Sequence, residues 1–64
     1  MTREQFYKKL GQRVRAKRLE LGLTQVDLGK RLKKLSSYIC EIERGSRPVS
    51  AYLVHCLEKE LGEL

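Results

Sequence analysis

Residues 23 to 45 read LTQVDLGKRLKKLSSYICEIERG, and the reading of this stretch decides the fold. Thr24 is placed to act as an N-cap, its side-chain oxygen accepting a backbone N–H, and Asp27, three residues on, can reach back to complete a capping box. Leu23 and Leu28 flank that cap at the spacing of a hydrophobic staple. The helix that follows, to about Leu32, buries Leu28 and Leu32. A second helix is expected from near Ser36, turning Ile39, Ile42 and Leu35 inward and ending at Gly45, where left-handed backbone costs little. The stretch therefore predicts two short amphipathic helices with a tight turn between them, over about residues 24 to 44. Glycine inside a helix costs about 0.5 to 1 kcal/mol relative to alanine, so Gly29 is expected to mark the place where the next helix approaches closely.

Upstream, from about Arg3 to Leu21, the apolar residues Phe6, Leu10, Val14 and Leu21 recur at helical spacing, and Gly22 ends the helix. Arg18 lies on the same stripe. A charge on a core-facing stripe is costly unless it is paired, which calls for a partner. Glu43 fits best, one turn before the end of the helix closed by Gly45 and on the face of Ile39 and Ile42; the alternative is that Arg18 snorkels to solvent or to a phosphate. Downstream, Gly45 and Pro48 bracket a loop and Ser50 caps a last helix, with Val49 and Val54 in staple positions. Leu53, Val54, Leu57 and Leu61 form one apolar face of that helix, and Gly62 ends it. The expected architecture is all-α, a compact bundle of four or five short helices in one domain spanning residues 1–64.

The chain has 64 residues and a formal charge of +6. At that length a domain buries only about 60% of the surface its unfolded chain exposes, so dimerisation would help to stabilise it. No apolar run approaches the roughly 20 residues of a membrane span and no signal peptide is visible, which predicts a soluble, intracellular protein. Residues 1 to 34 carry eleven Lys and Arg against Glu4, Glu20 and Asp27, a balance of +8; residues 35 to 64 carry three against five, a balance of −2. Such polarity favours a polyanion such as DNA or RNA, although anionic lipid attracts basic domains too. Cys40 and Cys56 form no Cys-x-x-Cys pair. With His55 the only histidine, the two cysteines read as reduced thiols rather than as metal ligands. No Ser/His/Asp set is present, so neither enzymatic activity nor a cofactor is expected.

The stretch from Arg13 to Leu61 resembles the phage-repressor and Cro type (Xre-like) helix-turn-helix domain. The resemblance rests on RVRAKRLELGLTQ at 13 to 25, L-G-x-x-L at 28 to 32, Y-I-x-x-I-E-R-G at 38 to 45, and R-P-V-S followed by L-E-K-E-L-G at 57 to 62. It implies a lambda-repressor-like fold and a cytoplasmic regulator of transcription, a repressor, from a bacterium or a phage. The helix from Thr24 would lie across the DNA backbone while the helix from Ser36 enters the major groove. On that basis Ser36, Ser37 and Glu41 fall where family members present base-reading side chains, Gln25 matches a phosphate contact, and Arg18 and Glu43 match an internal ion pair. Family members usually have glycine at the position of Lys33 and an apolar residue at that of Lys34. Here the apolar Leu35 arrives one position late, so either the turn has another geometry or Ser36 caps a helix that begins one residue later.

Lys34, Arg44 and Arg47 are the leading phosphate contacts from side chains near the turn and in the loop after Gly45. Glu41 could accept from cytosine N4, or instead orient Arg44 or Lys34. Tyr38 could touch a phosphate or a thymine methyl, or pack at the helix edge. The expected complex is a homodimer on a two-fold duplex site with half-sites about 34 Å apart. Its subunit contact would run through Tyr52, His55, Cys56 and Leu64 of the last helix. The competing reading is a protein-binding module, an antitoxin or antirepressor whose helices contact a partner protein.

Overall fold

Thr2 begins the structured chain by accepting from the Gln5 backbone N–H at 3.1 Å while the Gln5 side chain accepts from the Thr2 N–H at 3.0 Å, a capping box. The computed structural model describes Met1–Leu64 and contains four helices: α1 (Arg3–Glu20), α2 (Gln25–Leu32), α3 (Ser36–Arg44) and α4 (Ala51–Leu61). No fifth helix and no strand is present. The Cα radius of gyration, 10.6 Å, is that of a compact chain of this length, about 10.7 Å. α3 lies between α1 and α2, and α4 packs across α1 and α2. No helix is long and apolar enough to cross a membrane.

The local signals at the helix ends hold. Thr24 and Asp27 exchange both capping-box bonds, at 2.9 and 3.0 Å, and Ser50 accepts from the Leu53 N–H at 3.1 Å. Val14, Leu28, Ile39, Ile42 and Leu57 are fully enclosed, and Leu10, Val49, Leu53 and Leu61 complete the core.

Three apolar residues expected inside lie outside. Phe6 is 49% exposed and Leu21 51% exposed, while Leu35 is 77% exposed. On α1 the buried stripe runs Leu10, Gly11, Val14 and Arg18, and its N-terminal extension is Tyr7, three residues before Leu10, rather than Phe6, four before. Phe6 instead meets Tyr7 edge to face, with ring centroids 5.6 Å apart. Leu21 is the C-cap of α1, where the chain has already left helical geometry.

Two glycines permit the closest approaches. A Cβ on Gly11 would collide with the backbone carbonyl oxygens of Ile42 and Glu43, so the middle of α1 can lie on the C-terminal turn of α3 only without a side chain there. A Cβ on Gly29 would stand 2.5 Å from the Lys34 carbonyl oxygen. The approach to Gly29 is therefore made by the turn that leads into α3, and not by the helix itself.

That turn, Lys33 to Leu35, breaks two local rules. Lys33 has φ 58° and ψ 43°, the left-handed geometry that glycine normally supplies, and it is the one non-glycine residue of the chain with positive φ. The Lys34 N–H donates to the Gly29 carbonyl at 2.7 Å, which closes α2 around it. Leu35, not Ser36, is the N-cap of α3, and it offers no side-chain bond to the helix. Ser36 is thus the first helical residue and its hydroxyl is not a cap.

Both departures are reversible by substitution. Lys33→Gly and Leu35→Ser are each expected to raise unfolding free energy by about 1 kcal/mol, measured in urea, or to raise Tm by about 4 to 8 °C. Gly11→Ala is expected to cost about 1 to 3 kcal/mol, because backbone must move to admit the methyl group. The Thr24 N–H, and then the Thr24 side chain, hold the Asp27 carboxyl below the usual carboxylate range. A carboxylate whose pKa is lowered in the folded state stabilises above its unfolded pKa, and that contribution is lost as pH falls through the folded one. The stability gap between wild type and Asp27→Asn should therefore be constant above about pH 5 and close below about pH 4; a gap that widens on acidification would contradict the assignment.

Candidate nucleic-acid interface

The outer face of α3 is held in place from beneath. Arg18 and Glu43 are both buried, with side chains 8% and 3% exposed. Arg18 Nε donates to Glu43 Oε2 at 2.6 Å and Nη2 to Oε1 at 3.0 Å, a bidentate pair, while Nη1 donates to the Leu23 carbonyl at 2.8 Å. Gln25 Nε2 adds a bond to Glu43 Oε1 at 3.2 Å. Hydrogen bonding to Glu43 raises the Arg18 pKa above its already high ordinary value against the opposing effect of burial, so the guanidinium stays charged. Snorkelling of Arg18 to solvent is thereby excluded. Gln25, expected to meet phosphate, commits one of its two amide hydrogens to this network.

With Ile39, Ile42 and Glu43 turned inward, helical geometry puts Ser37, Glu41 and Arg44 on the opposite side of α3, within about 60° of one another. Ser37 and Arg44 are exposed, Glu41 half-buried, and Ser36 lies half-buried on one flank. Arg44 thus shares a face with two of the three expected base readers, a grouping for which the spacing of positions 37, 41 and 44 is the sequence signal.

Tyr38 occupies the other flank and gathers cations. Arg47 Cζ stands 4.1 Å from its ring centroid and Lys34 Nζ 5.0 Å, both within cation–π range. Residues from the turn before α3 and from the loop after it therefore meet on one aromatic ring. The loop is set by Gly45, at φ 72°, and by Ser46, whose N–H and hydroxyl both donate to the Glu41 carbonyl at 3.1 and 3.2 Å. Arg47 Nη2 lies 3.6 Å from Glu41 Oε1, so the carboxylate of Glu41 is oriented by Arg47 rather than by Arg44 or Lys34. Its Nε is buried without a hydrogen-bond partner.

The residues expected to join subunits divide. Tyr52 and His55 are exposed on α4, with ring centroids 6.4 Å apart, and Cys56 is half-buried beside them. Cys56 pushes the Tyr52 phenol above its ordinary range. Leu64 instead packs against the core, its N–H donating to Glu58 at 3.1 Å and its backbone oxygen accepting from Arg13 at 3.1 Å, and so is withdrawn from that surface. Cys40 and Cys56 are free thiols, and no three His, Cys, Asp or Glu side chains converge as metal ligands do.

Removing one member of the buried pair leaves the other charge uncompensated. Glu43→Ala is expected to cost about 3 to 5 kcal/mol, most or all of the stability of a domain this small. Arg18→Met combined with Glu43→Leu should cost less than the sum of the two single changes, as read by urea unfolding in a double-mutant cycle. Additive costs would show that the pair is not the unit described.

No protein-family model matches this sequence, and no curated protein matches it.

Proposed function

We propose that the chain is a sequence-specific double-stranded DNA-binding regulator of transcription, a repressor that binds a palindromic operator as a homodimer with α3 in the major groove. One observation carries the reading. α3 presents Ser37, Glu41 and Arg44 outward from a base locked by Arg18 and Glu43, with Lys34 and Arg47 collected beside them on Tyr38. A helix that offers polar side chains to base edges needs cations on its flanks to meet phosphate, and it needs a rigid base so that register is kept. The resemblance of residues 13 to 61 to the phage-repressor and Cro type supports the same reading. In this assignment Ser36, Ser37 and Glu41 read bases, and Gln25, Lys34, Tyr38, Arg44 and Arg47 serve the backbone contact.

A second reading, the protein-binding antitoxin or antirepressor module, draws support from the exposed Leu19, Leu21 and Val26 around the α1–α2 junction. The two readings separate cleanly. A protein complex that persists in the triple variant Lys34→Ala/Arg44→Ala/Arg47→Ala would favour the module.

Titration of duplex DNA across salt concentrations tests the first reading. The expected log–log plot has a negative slope, and Lys34→Ala should lower its magnitude by about 1 per half-site while weakening all sequences alike. Glu41→Ala should instead relax preference at one base position, by about 1 to 3 kcal/mol if the contact is to cytosine. A slope near zero, or equal affinity for random duplex, would overturn DNA binding.

A further inference from the structure

Leu35 is the most exposed apolar residue inside the folded unit, and nothing in the fold employs its side chain. It occupies the N-cap of α3, where a serine, threonine, asparagine or aspartate would bond the helix, and it makes no such bond. Its backbone, by contrast, is tightly held. The Leu35 carbonyl accepts from the Tyr38 N–H at 3.0 Å and from the Ile39 N–H at 3.4 Å, and Gly29 lies close against the Lys34 and Leu35 carbonyls. The side chain is therefore an exposed apolar group on a fixed backbone position at the leading end of α3. Lys33 and Lys34 precede it, and Ser36 and Ser37 follow.

From this placement we infer that Leu35 is a specificity-determining residue that recognises the C5-methyl group of a thymine; the inference rests on the DNA-binding reading above. Among the base edges of the major groove, the thymine methyl is the one apolar feature, and the flanking polar side chains suit the surrounding donors and acceptors. A serine, asparagine or aspartate at this position would favour folding but would offer the methyl group no apolar partner. The exposed leucine exchanges helix capping for contact with a base.

The test uses the duplex most enriched from a random pool by the wild-type chain, and copies of it in which each symmetric pair of thymines is replaced by deoxyuridine, which lacks only the methyl. Wild type should lose about fourfold in affinity per half-site at one thymine position, the worth of one buried methyl-sized group. Leu35→Ser, which restores a cap and so keeps the fold, should bind the thymine and deoxyuridine forms of that position equally. It should still distinguish the other selected positions. An enriched sequence that wild type binds equally well with deoxyuridine at every position would overturn the role of Leu35 alone. So would Leu35→Ser retaining the wild-type discrimination. Failure of any sequence to enrich would overturn the DNA-binding reading and this inference with it.

Discussion

The ion pair between Arg18 and Glu43 is the constraint on which the other elements depend. Two charges withdrawn from water are expensive, and an apolar pair of similar volume would often hold a core as well. What the pair supplies is direction. The guanidinium reaches α3 through two bonds and the end of the α1–α2 turn through a third, and Gln25 brings the first residue of α2 onto the same carboxylate. Apolar contacts tolerate rotation and sliding, whereas these bonds fix the angle at which α2 and α3 leave α1. Gly11 acts in the same place by steric means, since the carbonyl oxygens of Ile42 and Glu43 rest where its side chain would be. One turn of α3 is thus held by charge on one side and by close backbone approach on the other.

Against that rigid frame, the turn from Lys33 to Leu35 is costly by its own local standards. A lysine in left-handed backbone and a leucine at an N-cap each give up roughly 1 kcal/mol that glycine and serine would retain. At about 0.05 to 0.15 kcal/mol of stability per residue, the range usual for folded domains, this is a substantial share for 64 residues. Local rules broken inside an otherwise consistent sequence tend to mark places where something other than folding is served. Lys33 and Leu35 are both exposed, so packing of their side chains does not offset the cost.

The helix ends and most of the core were legible because their signals are local. Thr24 with Asp27, Ser50, and Gly45 act within a few residues of themselves, and the 3.6-residue period selects Leu28, Ile39, Ile42, Leu53, Leu57 and Leu61 with little ambiguity. Arg18 and Glu43 were legible for a different reason: a charge on an apolar stripe demands a partner, and few candidates face inward. Phe6 was misassigned because positions three and four before Leu10 both lie near its face, and only the packing of α1 on α3 chooses Tyr7. Leu35 was misassigned because hydrophobicity alone suggested burial, while the turn geometry that points it outward is encoded in an untypical lysine. Gly11 carries the same signal as Gly29, a glycine inside a helix, and it is the site of the closer approach. The meeting of Lys34, Tyr38 and Arg47 depends on where the loop after α3 returns, which neither composition nor periodicity reveals.

That meeting bears on how the site would work. Glu41 and Arg47 are partners at 3.6 Å, both partly in solvent, where such a pair contributes little to stability. A weak pair is easily exchanged. In the proposed complex, a phosphate near the loop would compete with Glu41 for Arg47, and the same displacement would free the Glu41 carboxylate to accept from a base. Stacking on Tyr38 would keep Arg47 close to its position through such an exchange and would confine the rearrangement to side-chain ends. Backbone contact and base reading would then be linked through one ion pair. A carboxylate on a surface approaching polyphosphate would otherwise be an electrostatic liability, and its pairing with Arg47 would screen that repulsion before the encounter.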